Sequence, residues 1–154
     1  MGADGDPRRE PERLRDRLVP DGDDDSPPRG GVIDGTAIMI AAAKASVPAA
    51  LVPALLDRAQ SFLDDHADEY AREFECIYED EDTAVYFVPL GHWDTKGTEL
   101  GFSHREIDAV RRAHTEHLRR LGTDADRRDE FETALEIREV AVVDASRLRQ
   151  SARR

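Results

Sequence analysis

The sequence predicts an α+β fold in which three to four helices pack on one face of a small antiparallel sheet. Helical spacing is kept by the apolar residues from Leu55 to Tyr70 and from Ile107 to Leu121. Those of 35–45 do not keep to one stripe, which predicts a first helix that is buried on most sides. Apolar residues alternate with period two over about 72–89, which predicts a hairpin, and an apolar run at about 135–143 predicts a third strand. The predicted order of elements is therefore α-α-β-β-α-(α)-β.

Capping residues place the predicted helices. Asp34 has the position of an N-cap for the first helix. A second helix, which Pro53 would kink or restart, is predicted to run to about residue 69. Ser103 and Glu106 have the spacing of a capping box, so the third helix is expected to begin there and to end at Gly122. The segment 124–135 predicts a further short helix.

The predicted hairpin has four consecutive acids, Glu79 to Asp82, at its turn. Phe74, Cys76 and Tyr78 share one face of its first strand, which predicts that Cys76 is a small core residue. The stretch that follows the hairpin, at 90–102, contains three glycines and is predicted to be a long surface loop.

The chain of 154 residues is long enough for one domain with a real core. Residues 1–31 contain five Pro, five Gly and fifteen charged residues, so they are predicted to form a disordered arm. Residues 32–143 are predicted to form a single globular domain. Residues 144–154 contain four Arg and one Asp and are predicted to be a basic tail.

The charge is strongly acidic and unusual in its residue types. The net charge is −12, with 34 acids, of which 20 are Asp, against 20 Arg and two Lys. The arm carries −3 and the tail +3, so residues 32–143 carry the whole −12. This composition resembles that of cytosolic proteins from extreme halophiles, and it predicts a salt-adapted protein in which molar salt screens the self-repulsion.

Several features predict a cytoplasmic protein that is not inserted in a membrane. The longest apolar run, Ala37 to Ala43, has seven residues, whereas a membrane helix needs about 20. No secretion signal is visible at the N-terminus. The single cysteine, Cys76, has no intramolecular partner for a disulfide.

Two histidines occupy unusual positions on the third helix. Ile107, Val110, Leu118 and Leu121 define its apolar stripe, with His114 inside the stripe and His117 at its margin. One interpretation is that both histidines pack on the core and hydrogen-bond a carbonyl or a tyrosine hydroxyl. The other is a divalent metal site. Its candidate ligands are His92, Asp94, His114 and His117, although the zincin spacing is absent.

No catalytic motif is complete, and the leading prediction is a non-enzymatic interaction or regulatory domain with no organic cofactor. A protein partner or a second copy would bind through 90–102 and the third helix; the candidate residues are Trp93, Lys96, Arg111 and Arg112. A winged-helix-like DNA-binding regulator is one alternative, suggested by Arg-Arg pairs at 111–112, 119–120 and 127–128. A small metal-binding protein or metal-dependent hydrolase is the other.

Overall fold

The computed structural model describes residues 32–145 and confirms the α+β fold. The predicted arm at 1–31 and the tail beyond residue 145 lie outside the described residues, so the predicted domain boundaries stay predictions. The elements, in chain order, are α1 (Gly35–Ala45), a 3₁₀ turn (Ala49–Leu51), α2 (Val52–Asp65), α3 (Ala67–Glu73), β1 (Glu75–Glu79), β2 (Thr83–Pro89), α4 (His92–Glu99), α5 (His104–Asp124), α6 (Arg128–Leu135) and β3 (Arg138–Asp144).

The predicted caps of α1 and α5 are confirmed. The backbone N–H groups of Thr36 and Ala37 donate to the Asp34 carboxylate at 2.9 and 3.1 Å. Ser103 and Glu106 form the reciprocal capping box at the start of α5. The predicted end of α5 is wrong by about half a turn, because Gly122 lies inside the last turn of the helix.

Two predicted segments differ in the structure. The second helix does not run unbroken to residue 69; it divides at His66 into α2 and α3. The predicted loop at 90–102 contains a helix, α4, despite Gly97 at its centre. A Cβ at Gly97 would overlap the side chain of Ile107 on α5. Gly97 therefore allows close helix packing and does not end the helix.

The sheet has the order β1-β2-β3, and both pairings are antiparallel. Every residue of β2 from Thr83 to Val88 is buried, so both faces of the central strand are covered. Tyr70 of α3 meets the ring of Tyr86 on one face, and Phe131 of α6 meets Phe87 on the other. The prediction that helices cover only one face is therefore wrong.

The first strand is also arranged differently from the prediction. Its pairing with β2 is irregular between Cys76 and Tyr78, and Ile77 is its buried residue. A bulge interrupts the simple alternation of faces, which the period-two pattern cannot anticipate. Cys76 is exposed, so its assignment to the core is wrong.

Candidate functional site

Side chains from three helices close the outer edge of β3. Trp93 Nε1 on α4 donates to the carbonyl of Val140 at 2.8 Å. On the neighbouring pleat, Gln60 Nε2 on α2 donates to the carbonyl of Val142 at 2.8 Å. The N–H of Val142 donates to Nδ1 of His114 on α5 at 2.9 Å. The carbonyls of Val140 and Val142 and the N–H of Val142 are therefore hydrogen-bonded at this edge without a fourth strand.

His114 is a fully buried hydrogen-bond acceptor. Because its Nδ1 accepts a backbone N–H, the neutral ring carries its proton on Nε2. Burial lowers the pKa of His114 from 6.5 to about 3, with smaller contributions from His117 and His92. Its ring lies 4.7 Å from that of Trp93, measured between centroids. Its Nε2 has no hydrogen-bond partner among residues 32–145.

The other two buried histidines also bond through one ring nitrogen. The backbone N–H of Asp34 donates to Nδ1 of His117 at 2.9 Å, which joins α5 to the start of α1. The Nε2 of His92 and the hydroxyl of Tyr70 share a hydrogen bond between α4 and α3. Desolvation lowers the pKa of His117, and burial lowers that of His92 to about 4. All three rings are thus held neutral and connect secondary structure elements.

The four candidate metal ligands do not form one coordination site. A neutral histidine has one lone-pair nitrogen, and in His114 and His117 that nitrogen already accepts a backbone N–H. Asp94 is exposed, and its carboxylate is 3.5 Å from the guanidinium of Arg111. Between residues 32 and 145, no three His, Cys, Asp or Glu side chains converge in a way that could hold a metal ion. The metal hypothesis stays a prediction that this geometry does not support.

The four candidate interaction residues differ in accessibility. Trp93 is 1% exposed, so a partner cannot contact it in this conformation. Lys96 is partly exposed; its ammonium lies 3.9 Å from Glu99 and over the ring of Phe62. Arg111 and Arg112 line a cleft of about 290 Å³ beside α5. We refer to this cleft as the arginine cleft. It is lined by four arginines (Arg111, Arg112, Arg119 and Arg138) and three acids (Asp108, Glu116 and Glu139), together with Leu90, Thr115 and Leu135.

A second recess lies at the end of the sheet where β1 and β3 begin. This recess, called the apolar groove below, has a volume of about 330 Å³. Its lining consists of six apolar residues (Phe74, Phe87, Val88, Pro89, Leu90 and Ile137) and three charged ones (Glu73, Glu75 and Arg138). Leu90 and Ile137 are 60% and 65% exposed, the highest values among the large hydrophobic residues that the structure describes. Both recesses include Leu90 and Arg138, so they form one continuous surface.

The Arg-Arg pairs do not form a basic stripe. Each of their six guanidinium groups contacts a carboxylate: Arg111 and Arg112 contact Asp108, Arg119 and Arg128 contact Glu132, Arg120 contacts Asp34 and Arg127 contacts Glu130. Paired in this way, the arginines do not present the concentrated positive charge that binds DNA phosphates. DNA binding stays a prediction without support from this geometry.

Sequence reasoning did not identify the apolar groove. Leu90 and Ile137 are single apolar residues beside a proline and between two charged residues, respectively, and such positions are common on ordinary surfaces. The two residues form a groove only because folding brings them together, and 47 positions separate them in the chain. Strand parity gives no signal for Ile137, because Ala141 and Val143, which have the same parity in the third strand, are fully buried.

None of the helices between residues 32 and 145 has the length and apolar character to cross a membrane. Comparison with curated proteins and with solved structures gives no significant match. A family model described as "Domain of unknown function (DUF8048)" matches residues 31–145, which are 115 of the 154 residues. The match begins and ends within one residue of the described structure. Since it covers most of the chain, this protein belongs to that family.

Proposed function

We propose that this domain is a non-enzymatic, cytoplasmic interaction module that binds a protein partner through the apolar groove and the arginine cleft. The observation that carries the proposal is the adjacency of Leu90 and Ile137, which are 60% and 65% exposed and line one groove. Contiguous apolar surface with a polar rim is typical of protein-binding sites. The partner would be expected to present apolar side chains to the groove and a carboxylate to Arg112 or Arg138, since the other arginines of the cleft are paired with acids.

The energetics favour a partner at this surface. Fully burying a Leu or Ile side chain is worth about 1.5–3 kcal/mol, so a partner that covers both residues gains several kcal/mol before the cost of association. This gain depends little on ionic strength, because hydrophobic burial is not screened by salt. Leu90 and Ile137 would thus supply affinity in the molar salt that the composition predicts.

Two arginines next to the groove retain hydrogen-bonding capacity. The Nε of Arg112 donates to Asp108 at 2.8 Å, whereas its two terminal nitrogens donate to none of the described residues. Arg138 lies over the ring of Phe87 and is 3.8 Å from the Glu75 carboxylate, beyond hydrogen-bonding distance. A partner carboxylate could therefore accept from either guanidinium. These contacts would orient a partner that the groove holds.

The test is site-specific photo-crosslinking in cells that make the protein. Ile137 is replaced by p-benzoylphenylalanine in the full chain, and the crosslinked products are identified by mass spectrometry. A discrete partner should crosslink at Ile137 and should be lost when Leu90→Glu is added. Leu51 is the matched control position, because it is 53% exposed but lines neither recess.

The control variants separate binding from folding. Leu90→Glu and Leu51→Glu both place a charge at an exposed site, so both should keep the melting temperature within a few degrees. Only Leu90→Glu should remove the partner. Identical crosslinking at Ile137 and Leu51, or an unchanged partner with Leu90→Glu, would refute the proposed surface.

A further inference from the structure

The apolar groove has charges of opposite sign on its two sides. It lies at the end of the sheet where the central strand β2 has β1 on one side and β3 on the other. On the β1 side, Glu75 pairs with Phe87 of β2, and Glu73 lies just before it in the chain. On the β3 side, Arg138 pairs with Pro89. From β1 to β3, the surface therefore changes from acidic through apolar to basic.

The charged side chains on both sides of the groove can bind a further molecule. Glu73, Glu75 and Arg138 are all exposed. Between residues 32 and 145, Glu73 has no ion-pair partner, and the carboxylate nearest to Arg138 is that of Glu75 at 3.8 Å, beyond hydrogen-bonding distance. The guanidinium can therefore donate, and the carboxylates can accept, in charge-assisted hydrogen bonds across an interface.

This order of charges makes the groove complementary to itself. Leu90 and Ile137 are its two most exposed apolar residues. A two-fold axis that lies in the interface, between the acidic and the basic side, exchanges the two sides. The acidic side of each copy then lies against the basic side of the other, and the exposed apolar residues lie against their own counterparts. No like-charged sides of the groove meet in this arrangement.

A second copy of this chain thus has the chemistry that the proposed function requires of a partner. The groove needs apolar side chains, and Leu90 and Ile137 of the second copy supply them. Arg138 needs a carboxylate, and Glu73 or Glu75 of the second copy supplies one. Each requirement is met twice, because residue contacts in a two-fold interface are reciprocal.

The net charge makes such self-association dependent on salt. Two chains that carry −12 each repel one another in dilute buffer. Molar salt shortens the Debye length to about 3 Å and removes most of this long-range repulsion, whereas it does not weaken the burial of Leu90 and Ile137. Ion pairs in contact are also screened less once the interface excludes water. The conditions that the composition predicts therefore favour a second copy.

From this self-complementarity we propose that the protein forms a two-fold homodimer through the apolar groove, with Arg138 of each copy against Glu73 and Glu75 of the other. The inference rests on the proposed function and names its partner as a second copy of the same chain. Because a two-fold interface is closed, association stops at the dimer.

Sedimentation equilibrium of the purified full chain in molar KCl, over a series of protein concentrations, tests the dimer. The wild type should change from monomer to dimer with no larger species. Leu90→Glu should weaken dimerisation by about a hundredfold, since the dimer contains the substitution twice at the centre of the interface. Leu51→Glu is the matched control and should dimerise like the wild type. A monomer at every concentration, or equal dimerisation of the two variants, would overturn the inference.

Exchange of the charges tests the pairing across the groove. One variant is Arg138→Glu and the other combines Glu73→Arg with Glu75→Arg, so each carries a single sign on both sides of its groove. At the lowest KCl concentration at which the wild type is dimeric, each variant alone should be monomeric. Their equimolar mixture should associate at least about tenfold more strongly, because the two variants are complementary to each other. A mixture that associates no better than the separate variants would overturn the proposed pairing.

Photo-crosslinking from p-benzoylphenylalanine at Ile137 separates this inference from the proposed function. With purified light and heavy isotopic chains in molar KCl, crosslinks should join two chains. If a different protein is captured in cells and the purified chain stays monomeric, the interaction function stands and the homodimer is wrong. If the purified chain dimerises through Leu90 but nothing is captured at Ile137 in cells, the homodimer stands and the interaction function is wrong. Capture of a second copy in cells supports both.

Discussion

The buried histidines of this domain join secondary structure elements through single ring nitrogens. His114 accepts at the edge of β3, His117 accepts at the start of α1, and His92 bonds the hydroxyl of Tyr70. A leucine at His114 or His117 would fill the space but would offer no acceptor, and one at His92 could not bond Tyr70. This explains why α5 has polar rings where its apolar stripe predicts aliphatic residues.

His114→Leu tests the acceptor role. The substitution removes the acceptor of the buried Val142 N–H, which should lower the free energy of unfolding by about 1–3 kcal/mol, partly offset because the unpartnered Nε2 of His114 is also removed. Urea unfolding in molar KCl measures the change. His104→Leu, at an exposed position of the same helix, is the matched control and should have little effect. Equal stability of the two variants would show that the bond to Val142 contributes nothing.

The same histidines predict a loss of stability in mild acid. Burial lowers the pKa of His114 to about 3 and of His92 to about 4, and desolvation lowers that of His117, all from 6.5. Below pH 6.5 these three histidines are protonated in the unfolded chain but stay neutral in the folded chain. Each ring therefore reduces the free energy of unfolding by about 1.4 kcal/mol per pH unit until its folded-state pKa is reached.

Urea midpoints at pH 7.5, 6 and 5 measure this dependence. Stability should be complete above pH 6.5 and should fall steeply towards pH 5. The slope in His114→Leu should be smaller by about 1.4 kcal/mol per pH unit, since one proton fewer is bound on unfolding. A midpoint that is unchanged between pH 7.5 and pH 5 would contradict the assignment of three buried neutral rings.

At the scale of elements, helix ends set by neighbouring residues were predictable from the sequence, whereas a helix stabilised by residues distant in the chain was not. The capping box of Ser103 and Glu106 lies within four consecutive residues, and the structure has it as predicted. Helix α4 was missed because its stabilising groups are distant in the chain. Its N-cap, Gly91, has no side chain, and the carboxylate of Glu139 accepts from the N–H groups of Gly91 and Trp93, each at 3.0 Å.

Glu139→Ala should therefore loosen α4 selectively. Loss of a helix cap costs about 0.5–2 kcal/mol, and backbone amides of residues 91–99 should exchange with deuterium faster by a corresponding factor. Glu139→Gln keeps one acceptor oxygen without the charge and should give an intermediate effect. Glu136→Ala, at an exposed position before β3, is the control. Uniform exchange changes across the domain, or none in α4, would refute the capping role.

At the scale of the whole molecule, the sequence indicated one half of the candidate site. Arg111 and Arg112 were candidate interaction residues on the third helix, and both line the arginine cleft, while their role in binding stays a prediction. The apolar groove was not predictable, since Leu90 and Ile137 become neighbours only when β2 and β3 pair. Amphipathic periodicity identifies surfaces within one element, whereas a groove between strand ends depends on register.

The charge distribution of the molecule predicts that folding depends on salt. Residues 32–143 carry −12, and acids cluster at the β1–β2 turn, where Glu79 and Asp82 are exposed beside Asp80. The backbone N–H groups of Asp82 and Thr83 donate to Asp80, which holds these charges in a tight turn. Between 0.1 M and 1 M salt the Debye length falls from about 10 to about 3 Å, so repulsion between such neighbours is largely removed.

The free energy of unfolding should accordingly rise with KCl concentration up to the molar range, as measured by urea unfolding at fixed pH. The double variant Glu79→Gln with Asp82→Asn removes two of the clustered charges and leaves Asp80 in place. It should be more stable than the wild type in dilute buffer and should show a weaker dependence on KCl, because less repulsion remains to be screened. The two proteins should converge in molar KCl, where the difference in charge no longer matters. Full stability of the wild type in dilute buffer would contradict the salt-adapted interpretation, and parallel salt curves for the two proteins would show that the rise does not come from repulsion at this turn.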